Sequence, residues 1–344
     1  MTKVFVGMSG GVDSSVTAAL LNEQGYDVTG VYMKNWSQDL PGMPCPWRED
    51  YQDAKRVAVQ LGIPFKLYDF EKEYKQQVVD YMVREYQAGN TPNPDIMCNQ
   101  EVKFKLFLET ALSEGADMIA TGHYAVSNGG QLLKAKDENK DQTYFLYRVT
   151  SDAMDKTIFP LGNFTKDEVR AMAQERGLVT AKKKESMGIC FVGKVGIKEF
   201  LSQYVETEPG PVIDQFGVEV GRHEGAIFYT IGQRHGLDVG GGMPFYVTGK
   251  DISKNIVYVT TDLNDEHLWT KKLALKQLHW IGGAPKIDDK LTVRLRHRAA
   301  LIGVAHLDPE TGLCELEDEV RAATPGQSAV FYHGSICLGG GIIS

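Results

Sequence analysis

Apolar and polar positions in the first 125 residues follow two alternating periods. Residues 3–8, built on Val4-Phe5-Val6, form a continuous apolar run, the pattern of a strand buried on both faces. Residues 13–24 then carry helical spacing and stop at Gly25. Strand patterns at 27–33, 63–69 and 116–121 alternate with helical ones at 51–61, 71–88 and 103–114. This alternation predicts an α/β domain, a parallel sheet with helices on both faces. Thr165-Lys166-Asp167-Glu168 is a capping-box start for another helix, and a short one fits 197–204. After Pro209-Gly210-Pro211 the texture changes to short, glycine-punctuated strands: 245–248, 256–260, 291–297, 302–307, 313–317 and 329–332. The expected division is a nucleotide-type domain over 1–205, a small central β-rich domain over 206–268, and a C-terminal β-barrel over 269–344, with the seam near 262–272.

Composition changes this picture little. The 344 residues are 42% hydrophobic and 24% charged, which suits a globular protein, and no apolar run reaches membrane-spanning length. The cytosol is the default expectation. A net charge of −8 argues against a protein that coats nucleic acid, but leaves room for a local basic footprint. The five cysteines, Cys45, Cys98, Cys190, Cys314 and Cys337, contain no CxxC pair, so neither a zinc ribbon nor a thioredoxin motif is indicated. Cys45 reads as structural or exposed, Cys314 and Cys337 as core.

The strongest chemical signal is Gly7-Met8-Ser9-Gly10-Gly11-Val12-Asp13-Ser14-Ser15, between the first strand and the first helix. Adjacent glycines let backbone amides approach an anion, and the helix start adds unpaired N–H groups and partial positive charge. Ser9 and Ser14 add hydroxyl donors. Neither a Walker A lysine nor the GxGxxG spacing is present. A second signal is Thr91-Pro92-Asn93-Pro94-Asp95-Ile96-Met97-Cys98-Asn99, where two prolines shape the backbone. A helix starting at Pro94 or Asp95 would put Asp95 and Cys98 on one face of its first turn, where the helix dipole favours thiolate. Cys190 follows the basic run Lys182-Lys183-Lys184. In the pattern 292–298, period two sets Arg294, Arg296 and Arg298 on one face, either a track for an RNA backbone or a solvated barrel face.

The first loop resembles the SGGxDS loop of the ATP pyrophosphatases (PP-loop, adenine-nucleotide hydrolase-like). That resemblance implies that Gly7, Met8, Ser9, Gly10, Gly11, Val12, Asp13 and Ser14 hold ATP, with Met33 and Gly122 at the adenosine and Mg2+ on the phosphates; no protein ligand for the metal can be named. Further motifs occur in one order along the whole chain: Ala120-Thr121-Gly122-His123-Tyr124, Lys140-Asp141-Gln142-Thr143-Tyr144-Phe145-Leu146, Ser186-Met187-Gly188-Ile189-Cys190-Phe191, Thr230-Ile231-Gly232-Gln233-Arg234-His235-Gly236-Leu237 and Thr324-Pro325-Gly326-Gln327. Together they resemble the bacterial tRNA-specific 2-thiouridylases from end to end. The resemblance implies ATP-dependent replacement of the C2 oxygen of the wobble uridine in tRNA-Lys, -Glu and -Gln by sulfur. Cys190 would carry the sulfur as a persulfide delivered by a sulfur carrier or cysteine desulfurase. Cys98 would attack that persulfide, forming a Cys98–Cys190 disulfide, and Asp95 would serve as acid/base. Asn93, Pro94 and Asp95 would line the base pocket; His123, Lys140, Asp141, Gln142, Arg296, His297 and Gln327 would touch tRNA.

Three rivals belong to other classes. A pyrophosphatase-type ligase of a small metabolite would need no cysteine pair. A lysidine-type tRNA enzyme would survive replacement of both thiols by serine. A non-catalytic RNA-binding relic would show no tRNA-dependent pyrophosphate release.

Overall fold

The computed structural model describes residues 1–39, 44–184, 196–237, 239–240, 242–286 and 290–344. Its first layer is a five-stranded parallel sheet. The strands are β1 (Lys3–Gly7), β2 (Asp27–Lys34), β3 (Phe65–Asp69), β4 (Met118–Thr121) and, after a hairpin of β5 (Val126–Asn128) and β6 (Gln131–Leu133), β7 (Thr157–Ile158). Their order is β3-β2-β1-β4-β7. The chain winds outward from β1 through β2 and β3, then returns to place β4 on the other side of β1. That reversal opens a crevice at the carboxyl ends of β1 and β4, where α/β sheets bind ligands.

Period-two alternation sorts β1 between two cores. Val4, Val6 and Met8 face α1 (Val12–Glu23) and α2 (Trp47–Leu61), with Val16, Leu20 and Val57. Phe5 faces the opposite layer with Tyr74, Met82, Cys98, Val102 and Phe107. Each such fully buried side chain stabilises by ~1.5–3 kcal/mol relative to exposure. The opposite layer consists of two continuous helical runs. The first is α3 (Glu71–Tyr74), a π stretch (Lys75–Val79) and α4 (Asp80–Gln87); the second is α5 (Pro94–Met97), a π stretch (Cys98–Leu106) and α6 (Phe107–Ser113). The helix expected at 103–114 therefore starts nine residues earlier. Asn93 caps it by accepting from the Asp95 amide at 3.1 Å, and Pro94 occupies the first helical position, the one place where its missing N–H costs nothing.

Two short helices, α7 (Thr143–Leu146) and α8 (Ser151–Asp155), lead into β7. Then α9 (Lys166–Glu175) starts at the expected capping box: Thr165 Oγ1 accepts from Glu168 N at 3.3 Å, and Glu168 accepts from Thr165 N at 2.6 Å. After α10 (Ile197–Leu201) come β8 (Gly210–Ile213), β9 (Glu219–His223), β10 (Tyr246–Asp251) and β11 (Ile256–Thr260), a four-stranded sheet in the order β10-β11-β8-β9. The C-terminal strands are β12 (Trp269–Trp280), β13 (Thr292–Arg294), β14 (Ile302–Leu307), β15 (Leu313–Arg321), β16 (Ser328–His333) and β17 (Ile336–Ile343). Pairing of β12 with both β15 and β17 closes them into a barrel. The sheet does not respect sequence order, because β6, from the N-terminal stretch, pairs with β17. No helix among the described residues is long and apolar enough to cross a membrane.

The arginine face expected at 292–298 does not form. β13 ends at Arg294, and Arg298 adopts a left-handed φ of 63°. The Arg294 guanidinium turns inward to the Asp141 carboxylate at 3.1 Å, and Arg296 donates to the Ala322 carbonyl at 2.8 Å.

Candidate nucleotide and thiol site

At the carboxyl end of β1 the chain turns through Met8–Gly11 into α1. Gly10 has φ +76°, and a Cβ there would lie 2.2 Å from the Asp50 carbonyl oxygen, so neither backbone shape nor space admits a side chain. The loop closes on itself: Ser9 N donates to Ser14 Oγ at 3.1 Å, and Ser14 Oγ donates to Gly11 O at 3.2 Å. Gly122 brings the β4 turn against the same helix start, where a Cβ would meet Ser14 N at 2.8 Å. Met33, at the end of β2, approaches Gly7; a Cβ on Gly7 would meet its Cε at 3.1 Å. The structure thus brings Gly7 through Ser14, Met33 and Gly122 together around one helix N-terminus. These residues fit a nucleotide. The first-turn amides of α1 have no intrahelical acceptors, and Asn35 Oδ1, two residues past Met33, is buried without a partner among the described residues. Among the described residues no cluster of three His, Cys, Asp or Glu could hold a metal by itself.

Residues outside the loop set its electrostatics. Asp13 accepts two hydrogen bonds from Lys166 Nζ (2.6 and 2.8 Å) and one from the Tyr124 hydroxyl (3.0 Å). Lys183 bridges Asp50 and Asp53 at 2.8 and 2.6 Å, on the helix whose Asp50 carbonyl abuts Gly10. Sequence reasoning passed over Tyr124, Lys166 and Lys183. The signals were present, a tyrosine in a quoted motif and two lysines beside a capping box and a basic run. Only the fold pairs them with acids.

A hydrogen-bonded path runs from this loop to Asn99, the residue after Cys98. Beyond the Tyr124–Asp13 bond, Tyr124 N donates to Gln142 Oε1 at 2.8 Å and Gln142 N to Tyr124 O at 2.9 Å. Phe145 N donates to Gln142 O at 2.9 Å, and Asn99 Nδ2 donates to Phe145 O at 3.0 Å. Asn99 follows Cys98, which is only 2% exposed at the fifth position of the helix begun by Pro94. Asp95 lies one helical step away on the same face, as the helix start predicts. Burial pushes the Asp95 carboxyl above its ordinary range, with Lys103 offsetting part of the effect. Cys190 lies outside the described residues; the other four cysteines are free thiols. Burial raises Cys314 to about 12 and Cys337 further, so both are inert core, as expected, and Cys45 is half-buried, its amide on Asp39 at 2.8 Å.

Several residues read as RNA contacts have other work in this structure. His123 is buried between Phe104 and Phe159, with Nδ1 on Thr121 Oγ1 at 2.8 Å, and burial pushes its pKa far below the usual value, leaving it neutral. Asp141, 2% exposed, accepts from Thr143, Ala135 and Arg294. Gln142 is used by Tyr124, and Gln327 donates to the Thr91 carbonyl at 2.7 Å. His297 stacks on Phe145 with centroids 4.5 Å apart, its pKa lowered to about 4 by burial and then by Arg298. It too is neutral. Lys140 is half-buried on the turn before α7, and Arg296 is turned to Ala322.

Residues 2–194 match the tRNA methyl transferase HUP domain family, 198–261 its PRC-barrel domain and 270–343 the aminomethyltransferase beta-barrel domain. The tRNA-specific 2-thiouridylase MnmA of Bacillus subtilis (strain 168) is 48% identical over 351 residues, covering 99% of this chain and 95% of that protein. That of Lactococcus lactis subsp. lactis (strain IL1403) is 48% identical over 355 residues, covering 99% and 94%. The chain belongs to the tRNA-specific 2-thiouridylase family. Among solved structures, a 4-thiouridine synthetase in complex with RNA and ATP aligns with TM-score 0.40 and 20% identity, over 59% of this chain and 50% of that one. An NMN synthetase from Francisella tularensis aligns with TM-score 0.35 and 17% identity, over 54% and 66%.

Proposed function

We propose that this chain replaces the C2 oxygen of the wobble uridine of tRNA-Lys, -Glu and -Gln with sulfur at the expense of ATP, in the cytosol. The observation that carries the reading is the hydrogen-bonded path joining the glycine loop to the helix that bears Asp95 and Cys98. It supports reading the phosphate cradle and the thiol as parts of one site. Family membership over nearly the full length supports the same chemistry. ATP would lie on the first turn of α1, with Mg2+ on its phosphates supplying charge neutralisation and Asp13 the acidic residue of that turn.

In this reading the uridine C2 oxygen attacks the α-phosphorus and pyrophosphate leaves. Asp95, whose pKa burial raises above the ordinary carboxylate range, moves the proton. Cys190 carries the incoming sulfur as a persulfide delivered by a carrier or desulfurase. The Cys98 thiolate attacks the Cys190 sulfur, forming the Cys98–Cys190 disulfide and freeing hydrosulfide. Hydrosulfide then displaces AMP from C2, and an external thiol reductant restores both cysteines. Support for a meeting of the two thiols comes from the described residues flanking Cys190. Lys183, seven residues before it, is held at the helix beside the glycine loop. Phe200, ten residues after it, packs on Trp36 in the core that also contains Cys98. A seven-residue chain reaches at most roughly 25 Å. With His123 and His297 neutral, positive charge for an RNA backbone comes in this reading from side chains such as Lys140 and the exposed Arg234.

The test is direct. Purified protein with ATP, a persulfide donor and tRNA-Lys transcript should yield a thiolated nucleoside by mass spectrometry. Cys190→Ala and Cys98→Ala should each abolish it while tRNA-dependent pyrophosphate release persists. Thiolation by the double variant would remove the cysteine mechanism, and pyrophosphate release indifferent to tRNA would remove the substrate.

A further inference from the structure

Three motifs distant in sequence meet at one residue, Thr91. Its amide donates to the Pro325 carbonyl at 2.8 Å, and its carbonyl accepts from Gln327 Nε2 at 2.7 Å. Its hydroxyl lies 3.2 Å from the hydroxyl of Thr230, which the central β-rich segment contributes. Every polar group of Thr91 is thus paired outside its own segment. Contact is close enough that a Cβ on Gly326 would lie 2.6 Å from the Thr91 amide. Thr324, in the same loop, reaches back to the Ile231 and Ala322 carbonyls.

What Thr91 does next is dictated by covalent geometry. Pro92 and Pro94 each lock one φ, and each restricts the residue before it to extended conformations, so few soft torsions separate Thr91 from the helix start. The observed Asn93 obeys this with φ −111° and ψ 100°. A displacement of Thr91 is therefore transmitted to Asp95 and Cys98 instead of being absorbed between them.

We propose that Gln327 and Thr230 are positioning residues for the thiol site. They act through Thr91 to fix the start of the Asp95–Cys98 helix, so that the catalytic geometry depends on the C-terminal barrel and the central sheet being seated together. This rests on the thiolation reading and assigns Gln327 a role different from a direct RNA contact. The strap matters because an ångström of misplacement at reacting atoms costs up to about 100-fold in rate.

The experiment uses the full chain with Gln327→Ala, Gln327→Glu and Thr230→Val, read in two ways. In steady-state thiolation the expected result is a fall in kcat of about tenfold for Gln327→Ala, with KM for tRNA changed less than about twofold. Gln327→Glu should be worse, because its carboxylate faces the Thr91 carbonyl, and Thr230→Val milder. Independently of any turnover, alkylation of Cys98 by iodoacetamide, followed by peptide mass spectrometry, should speed up in the same order. Cys314 and Cys337 should stay protected. A raised KM at unchanged kcat would overturn the proposal and make Gln327 an RNA contact; unchanged kcat with unchanged Cys98 alkylation would overturn it as an incidental bond. If wild type does not thiolate at all, the thiolation reading fails while the alkylation series still decides the strap.

Discussion

The two ends of the site are built in opposite ways. The phosphate cradle is eight consecutive residues, Gly7 through Ser14, whose shape follows from a strand end, a positive-φ glycine and a helix start. The thiol end is an Asp–Cys pair on a helix whose entry is held by Pro325, Gln327 and Thr230, up to 236 residues away. A contiguous loop owes its geometry to local torsions and survives movement of its surroundings. An end assembled across three sheets can be disturbed from any of them, and under the proposed strap the seating of the barrel reaches it through Thr91.

This contrast can be sharpened by substitution. The largest effect is expected at Asp95→Asn, with thiolation down by about 10²–10⁴, the usual contribution of an acid/base group. The same variant carries a stability signature. Burial raises the Asp95 pKa, so between the ordinary carboxylate range and that raised value the native state holds more protons than the unfolded chain. Stability therefore falls as pH rises through this window, and the penalty persists above it. Asp95→Asn should melt higher than wild type at about pH 7.5, with the gap closing towards about pH 4. A lower melting temperature at neutral pH would show that the carboxylate is stabilised by its site.

Gly10→Ala should follow, with tRNA-dependent pyrophosphate release down about 100-fold, since an alanine there meets the Asp50 carbonyl at a strained φ. If the cradle is self-contained, Cys98 alkylation should not change in this variant; accelerated alkylation would erase the distinction between the ends. The smallest effect is expected at Lys166→Met, which strips Asp13 of its cation. Breaking a buried pair costs ~3–5 kcal/mol, and Asp13 is about a third exposed, so about 1–3 kcal/mol in chemical denaturation is expected. No measurable loss would mean that the Tyr124 hydroxyl and solvent suffice for Asp13.

Legibility followed the same division. The apolar run at Val4–Val6, the Gly25 and Gly62 stops and the Thr165 capping box each specify an element through neighbours within four residues, and all appear in the fold. The helical period at 103–114 does not by itself reach back to Pro94, because two prolines look like loop residues unless one occupies the first helical position, as Pro94 does. The strands β12 and β5–β6 carry no strand signal of their own in the sequence, because pairing with β15, β17 and each other gives them their strand character. The arginine row failed for a related reason. Period two holds only while the strand continues, and here it ends at Arg294, whose guanidinium finds a buried carboxylate.

By itself the sequence determined the parallel nucleotide layer, the glycine cradle and the types of residue available for chemistry, since each is encoded in torsional preference and local spacing. Tertiary structure decided which charges are cancelled: Asp13 by Lys166, Asp141 by Arg294, and Asp50 and Asp53 by Lys183. It also neutralised two histidines by desolvation and fixed Thr91 from three directions. Pairing and burial are properties of distance in space, and no pattern along the chain records which distant residue will arrive.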